Sequence, residues 1–205
     1  TEIYTLSLHD ALPISNINRQ LPAMSGTIGK LKTEVMSERV KLINPECTVN
    51  IIDDFISPEN QSDYLNRGYD YVIDAIDNVK TKASLIAYCK RNKINVITIG
   101  GAGGQTDPTQ IQIADLSKTI QDPLLAKVRS VLRKDYNFSQ NPKRKFSIDA
   151  VFSTQPLIFP QMTEGCSTSA TMNCANGFGA ATMITATFGF FAVSRVIDKL
   201  LKKKS

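Results

Sequence analysis

The stretch YDYVIDAIDNVKTKASLIAYCKRNKINVITIGGAGG, residues 69–104, decides the fold. Tyr69 to Ala75 is short and mostly apolar, which predicts a strand buried on both faces. Val79 to Asn92 then predicts a helix, with Ala83, Leu85, Ile86 and Cys89 among its apolar positions. Val96 to Ile99 is a β-branched strand that stops at the glycines of residues 100–104. Working outward, Leu31, Val35, Met36, Val40 and Ile43 form a stripe at helical spacing that Asn44-Pro45 ends. Cys47 to Asp53 alternates as a strand, and Ser57-Pro58 opens a short helix ending near Gly68. Downstream, Thr109–Asp115 and Phe146–Ser153 read as strands and Pro123–Tyr136 as a helix with a basic face. Strands alternating with helices in this order predict an α/β protein with a doubly wound, mostly parallel sheet.

The chain has 205 residues and a net charge of +5, with 42% hydrophobic residues, enough for one α/β domain with a real core. The positive balance suits an anionic partner, or simply surplus surface lysine. Cys47, Cys89, Cys166 and Cys174 form no CxxC pair, so no zinc ribbon or disulfide scaffold is expected, and a reducing, cytoplasmic location suits them. His9 is the only histidine, which excludes a histidine triad.

Residues 1–15 read as a non-native or disordered lead-in; LHDALPIS resembles the in-frame translation of a sequencing adapter, the alternative being a natural, loosely ordered N-terminus. Residues 161–176 read as a loop, with Cys166 and Cys174 as open candidates for redox or sulfur chemistry. A last helix spans about 177–202. Its first part is apolar on nearly every face, which suits packing in a domain or dimer core. Membrane association through residues 177–197 is the alternative that is not favoured.

In an open α/β sheet, ligands sit off the carboxyl ends of the strands, where Asp74 and Asp77 fall. A carboxylate there can hold Mg²⁺ on nucleotide phosphates, or Asp77 or Asn78 can simply cap the next helix. Arg19, in the run Asn16-Ile17-Asn18-Arg19-Gln20, can clamp phosphate or sit in a solvated loop. Lys30 and Lys32 open a helix, where a lysine suits an anion or is an ordinary surface charge. Gly100–Gly104 is not a Walker loop, because no Lys-Ser or Lys-Thr follows; it reads as a tight backbone passage.

Together, NxxRQ, GxxK opening a helix, INP and VIDAIDN resemble the adenylating domain shared by the MoeB, ThiF and ubiquitin-activating enzymes. RNKINVITIGGAGGQTDPTQIQIADLSKTIQDPL, DAVFST and CANGFGAATMITATFGFFAVS are similar to the tRNA threonylcarbamoyladenosine dehydratases (TcdA/CsdL type) in particular. The resemblance runs from Asn16 to about Leu201 and defines residues 16–205 as a partial ThiF-like domain. It implies that Asn16, Arg19 and Gln20 contact ATP, with Arg19 on the phosphates. Lys32 is then the phosphate-binding lysine, and Asp77, beside Asn78, holds Mg²⁺; Asp77 and Arg19 are the implied catalytic pair.

The implied reaction uses ATP to adenylate a carboxylate on a modified adenosine of tRNA, and loss of AMP closes a ring. Adenylation of a ubiquitin-like sulfur-carrier protein is the alternative. A homodimer, tRNA and a sulfur-transfer protein are the implied partners, and no zinc is expected. The family's first strand and glycine-rich loop should precede Asn16, so the chain as it stands is expected to lack much of the nucleotide pocket and to be inactive.

Overall fold

A computed structural model describes residues 2–7, 12–159 and 179–204. Residues 8–11, which include His9, and residues 160–178, which hold the expected loop with Cys166 and Cys174, lie outside it. The chain divides into two compact units, residues 1–64 and 65–205.

In the first unit, Glu2–Ser7 (β1) and Thr48–Asp53 (β2) pair in parallel, from Glu2 opposite Thr48 to Ser7 opposite Asp53. Residues 2–7, set aside above as a lead-in, thus form a strand ahead of Asn16, where none was expected; Ile3, Tyr4 and Thr5 are of the β-branched and aromatic types enriched in strands. Helix α1 (Lys32–Ile43) connects the two strands and packs on both. Its Val35 joins Leu12 and Ala23 in a small core, with Ile28 against it.

In the second unit, β3 (Val72–Asp74), β4 (Val96–Ile99), β5 (Ile111–Asp115) and β6 (Asp149–Ser153) form one sheet in the order β3-β4-β6-β5. The first three are parallel and β5 runs antiparallel to β6. Side chains alternate across the sheet, so each strand feeds two layers. Ile97, Ile111 and Val151 meet Ile184, Phe188, Ala192 and Val196 of the last helix, α5 (Thr182–Lys204), on one face. On the other face, Thr98 receives Lys82 of α3 (Val79–Arg91), and α3 packs against α4 (Pro123–Asp135).

Two expectations change and a third is met in part. The strand at residues 69–75 shortens to β3, and burial on both faces fails: β3 is the outer strand of its sheet, with Ile73 44% exposed. The short helix after Pro58 is only Gln61–Leu65 (α2). Helix α5 is buried on one face alone, because Met183, Phe190, Val193, Ile197 and Leu201 all remain exposed. No helix among the described residues is long and apolar enough to cross a membrane.

Candidate functional site

Asn16 begins a single turn in which the backbone N–H groups of Arg19 and Gln20 both donate to its carbonyl, at 3.0 and 2.9 Å. Positions i, i+3 and i+4 share one face of such a turn, so Asn16, Arg19 and Gln20 are neighbours. Asn16 is buried, and its amide donates to Gln20 Oε1 at 3.2 Å, which fixes the turn from inside. The half-buried Arg19 donates to Asn18 Oδ1 at 3.2 Å.

The loop that follows closes on itself: Leu12 N donates to Lys30 O, and Gly29 N donates back to Leu12 O. Gly29 makes this return at φ +86°, a left-handed conformation that a side chain would strain. Lys32 is the first residue of α1, whose N-cap Leu31 offers no side-chain acceptor. A lysine beside uncapped N–H groups is a favourable place for an anion.

In the second unit the two aspartates of VIDAIDN, three residues apart, have opposite fates. Asp74 turns inward from the last position of β3. Its Oδ2 accepts from Lys82 Nζ at 2.9 Å and from Thr98 Oγ1 at 2.7 Å, and its Oδ1 accepts from Ile76 N at 3.0 Å. Lys82 is 0% exposed and donates also to Thr98 Oγ1, at 3.1 Å. The Asp74 carboxylate is thereby fully engaged, which removes it as a metal ligand. Asp77, three residues on, is exposed just past the carboxyl end of β3. Asn78, not Asp77, caps α3: its Oδ1 accepts from Thr81 N at 3.0 Å. One carboxylate free at a strand tip suits Mg²⁺, which is held by one or two carboxylates together with phosphate oxygens.

The glycine run is a tight passage, and its neighbour is Asp122. A Cβ built on Gly100 would lie 1.9 Å from Asp122 Oδ2, and Gly101 N donates to that same oxygen at 3.0 Å. Asp122 Oδ1 caps α4 through Leu125 N at 2.9 Å. Burial raises the Asp122 carboxyl above its ordinary value, against the pull of these N–H groups and of Lys82. Sequence reasoning missed both Lys82 and Asp122. The signal was present: a lysine on the apolar face of the 79–92 helix needs a buried anion. Cys89 is buried, as read, and burial pushes its thiol up to about 12, so it is no nucleophile.

Some of the basic groups are engaged internally. Arg91 lies over the Tyr136 ring and Arg133 over the Phe146 ring, while Arg129 donates to Thr119 Oγ1.

Residues 6–205 match the ThiF family. The chain belongs to the ThiF family.

The tRNA threonylcarbamoyladenosine dehydratase of Haemophilus influenzae is 96% identical over 201 residues, covering 98% of this chain and 77% of that protein. The enzyme of the same name from Escherichia coli K12 is 54% identical over 207 residues, covering 97% and 77%. The crystal structure of the E. coli dehydratase TcdA in complex with ATP matches with a TM-score of 0.88 at 50% identity, covering 99% of this chain and 76% of that one. This ThiF-family chain therefore has the mostly parallel, helix-flanked sheet that its alternating elements predicted.

Proposed function

We propose that this ThiF-family protein performs the ATP-dependent dehydration of threonylcarbamoyladenosine in the tRNA anticodon loop. The observation that carries the reading is the near-identity to a dehydratase along almost the whole chain. The substrate carboxylate attacks the α-phosphorus of ATP, and pyrophosphate leaves. The resulting acyl-adenylate is closed by an internal nucleophile, and AMP departs with the oxygen that is formally lost as water.

Positioning and charge stabilisation suffice for both steps, which fits the residues assigned here, none of them a histidine. Arg19 is assigned to the phosphates, Asn16 and Gln20 to shaping its turn and contacting the nucleotide, and Lys32 to an anion at the α1 N-terminus. Asp77, with Asn78 fixing the start of α3 beside it, is assigned to Mg²⁺, which when bound would neutralise phosphate charge. The exposed carboxylate of Asp77 and the occupied one of Asp74 support that choice.

A homodimer joined along α5 is part of the reading, supported by the exposed stripe Phe190, Val193, Ile197 and Leu201 on one helix. Intracellular work on tRNA follows from the reaction. Adenylation of a ubiquitin-like sulfur carrier, with a sulfur-transfer partner, is not favoured by relatives that are themselves dehydratases.

The test is direct. With ATP and tRNA bearing threonylcarbamoyladenosine, the digested nucleoside should come out lighter by one water, and AMP should appear in equal amount. Asp77→Asn, of equal size, should slow that conversion by roughly 10²–10³-fold. Wild-type speed in D77N would remove Asp77 from the site.

A further inference from the structure

The adenylation reading leaves the other end of the second unit's sheet unused. There a cleft of about 750 Å³ opens among the amino-terminal ends of β3, β4 and β6 and the carboxyl end of β5. Five cations line it: Lys90 and Lys93 at the end of α3, Lys145 from the loop before β6, and Arg195 and Lys199 from α5. Two carboxylates, Asp115 and Asp149, share the lining, and both are already occupied.

Asp149 accepts from Arg195 Nε at 2.8 Å and from Arg195 Nη2 at 3.3 Å. Asp115 Oδ1 accepts from the N–H groups of Ser117 at 3.0 Å and Phe146 at 2.9 Å, and its Oδ2 from Ser147 N at 2.7 Å. Burial opposes these bonds but they prevail, and the Asp115 carboxyl sits below its ordinary value. Among the described residues, none of Lys90, Lys93, Lys145 and Lys199 forms an ion pair with a carboxylate.

The basic loop is also held in place. Asp115 binds the backbone on the far side of Lys145, and Lys118 Nζ donates to Pro142 O at 2.6 Å on the near side. Like charges that line one cleft repel one another until an anion enters. Fixing the backbone of the loop that carries Lys145 in advance lowers the ordering cost of binding there. The cations come from three separate elements around an open cleft, which fits a chain of phosphates better than a single small anion.

We infer that this cleft grips the phosphate backbone of the tRNA substrate, at the end of the sheet opposite the adenylation site. The inference rests on the dehydratase reading for its choice of RNA. Strands of three to five residues, at about 3.3 Å per residue, separate the two ends by roughly 10–17 Å. One RNA therefore meets the protein at a reacting adenosine and again at a remote stretch of backbone.

The test is a salt titration of tRNA binding to the full chain, wild type against the triple variant Lys93→Gln, Lys145→Gln, Lys199→Gln. The variant should bind tRNA at least about 10-fold more weakly near physiological salt. Its log–log salt slope should be shallower by about 2–3, at roughly 0.7–0.9 for each phosphate contact removed. Far-UV circular dichroism and urea unfolding check that the variant is folded. An unchanged tRNA affinity and slope in a folded variant overturns the cleft. Failure of the dehydratase reading shows separately, as wild-type protein that forms no cyclic nucleoside whatever the slope.

Discussion

At the scale of single residues, the Asp74–Lys82 pair is where charge and burial meet most sharply. Neither side chain is accessible, so each charge depends on the other and on Thr98. Removing one partner of a buried pair strands the other, at a cost of about 3–5 kcal/mol. Lys82→Met should therefore lower stability by about that amount in urea unfolding, and adding Asp74→Asn should recover a large part of the loss. Equal losses in the single and double variants would show that the pair does not hold the turn. The same pair explains why the turn after β3 can present Asp77. Asp74 Oδ1 takes the Ile76 N–H, so the backbone leaves the strand along a set path. Two aspartates three positions apart look alike on paper; a strand register and a lysine eight residues away separate them.

At the scale of elements, α5 shows how far periodicity reaches. An apolar run with small residues and threonines promises burial, and Ile184, Phe188, Ala192 and Val196 deliver it against the sheet. The opposite side of the same helix stays bare, with Phe190 70% and Leu201 62% exposed. A helix can be apolar all round when a second surface covers its outer face; this chain's own sheet covers only the inner one. If the second is another copy, Phe190→Asp with Ile197→Asp should shift the protein to monomer in analytical ultracentrifugation, with the secondary structure retained. A dimer that survives both charges would place the interface elsewhere. The strand at residues 69–75 teaches the complementary lesson. Its apolar composition suggested cover on both faces, yet an outer strand carries half-open positions such as Ile73.

At the scale of the whole molecule, the candidate residues divide between the two compact units: Asn16, Arg19, Gln20 and Lys32 in one, Asp77 and Asn78 in the other. Groups that act on one transition state lose their effects together and not additively. Arg19→Ala and Asp77→Asn should each depress AMP formation by a large factor, and the double variant should be little worse than the poorer single one. Multiplying losses would mean that the two residues serve separate steps. Much of this was legible in advance. The helices at residues 79–91 and 123–135 and the strand at residues 96–99 emerged within a residue or so, because local periodicity and β-branching act over neighbours in the chain. Lys82 carried a signal, its place on an apolar helix face, but not the identity of its partners, Asp74 and Thr98, 8 and 16 residues away; Asp122 gave none, since Gly101 lies 21 residues from it.

What the sequence determined by itself is the alternation of strand and helix, the family motifs and the residue types at each motif. These follow from short-range sterics and from patterns of apolar side chains. Only the tertiary structure decided which aspartate stays exposed, which lysine is spent in the interior and which ones line a cleft. Those outcomes depend on desolvation and on pairing between groups far apart in the chain, and neither exists until the sheet has brought them together.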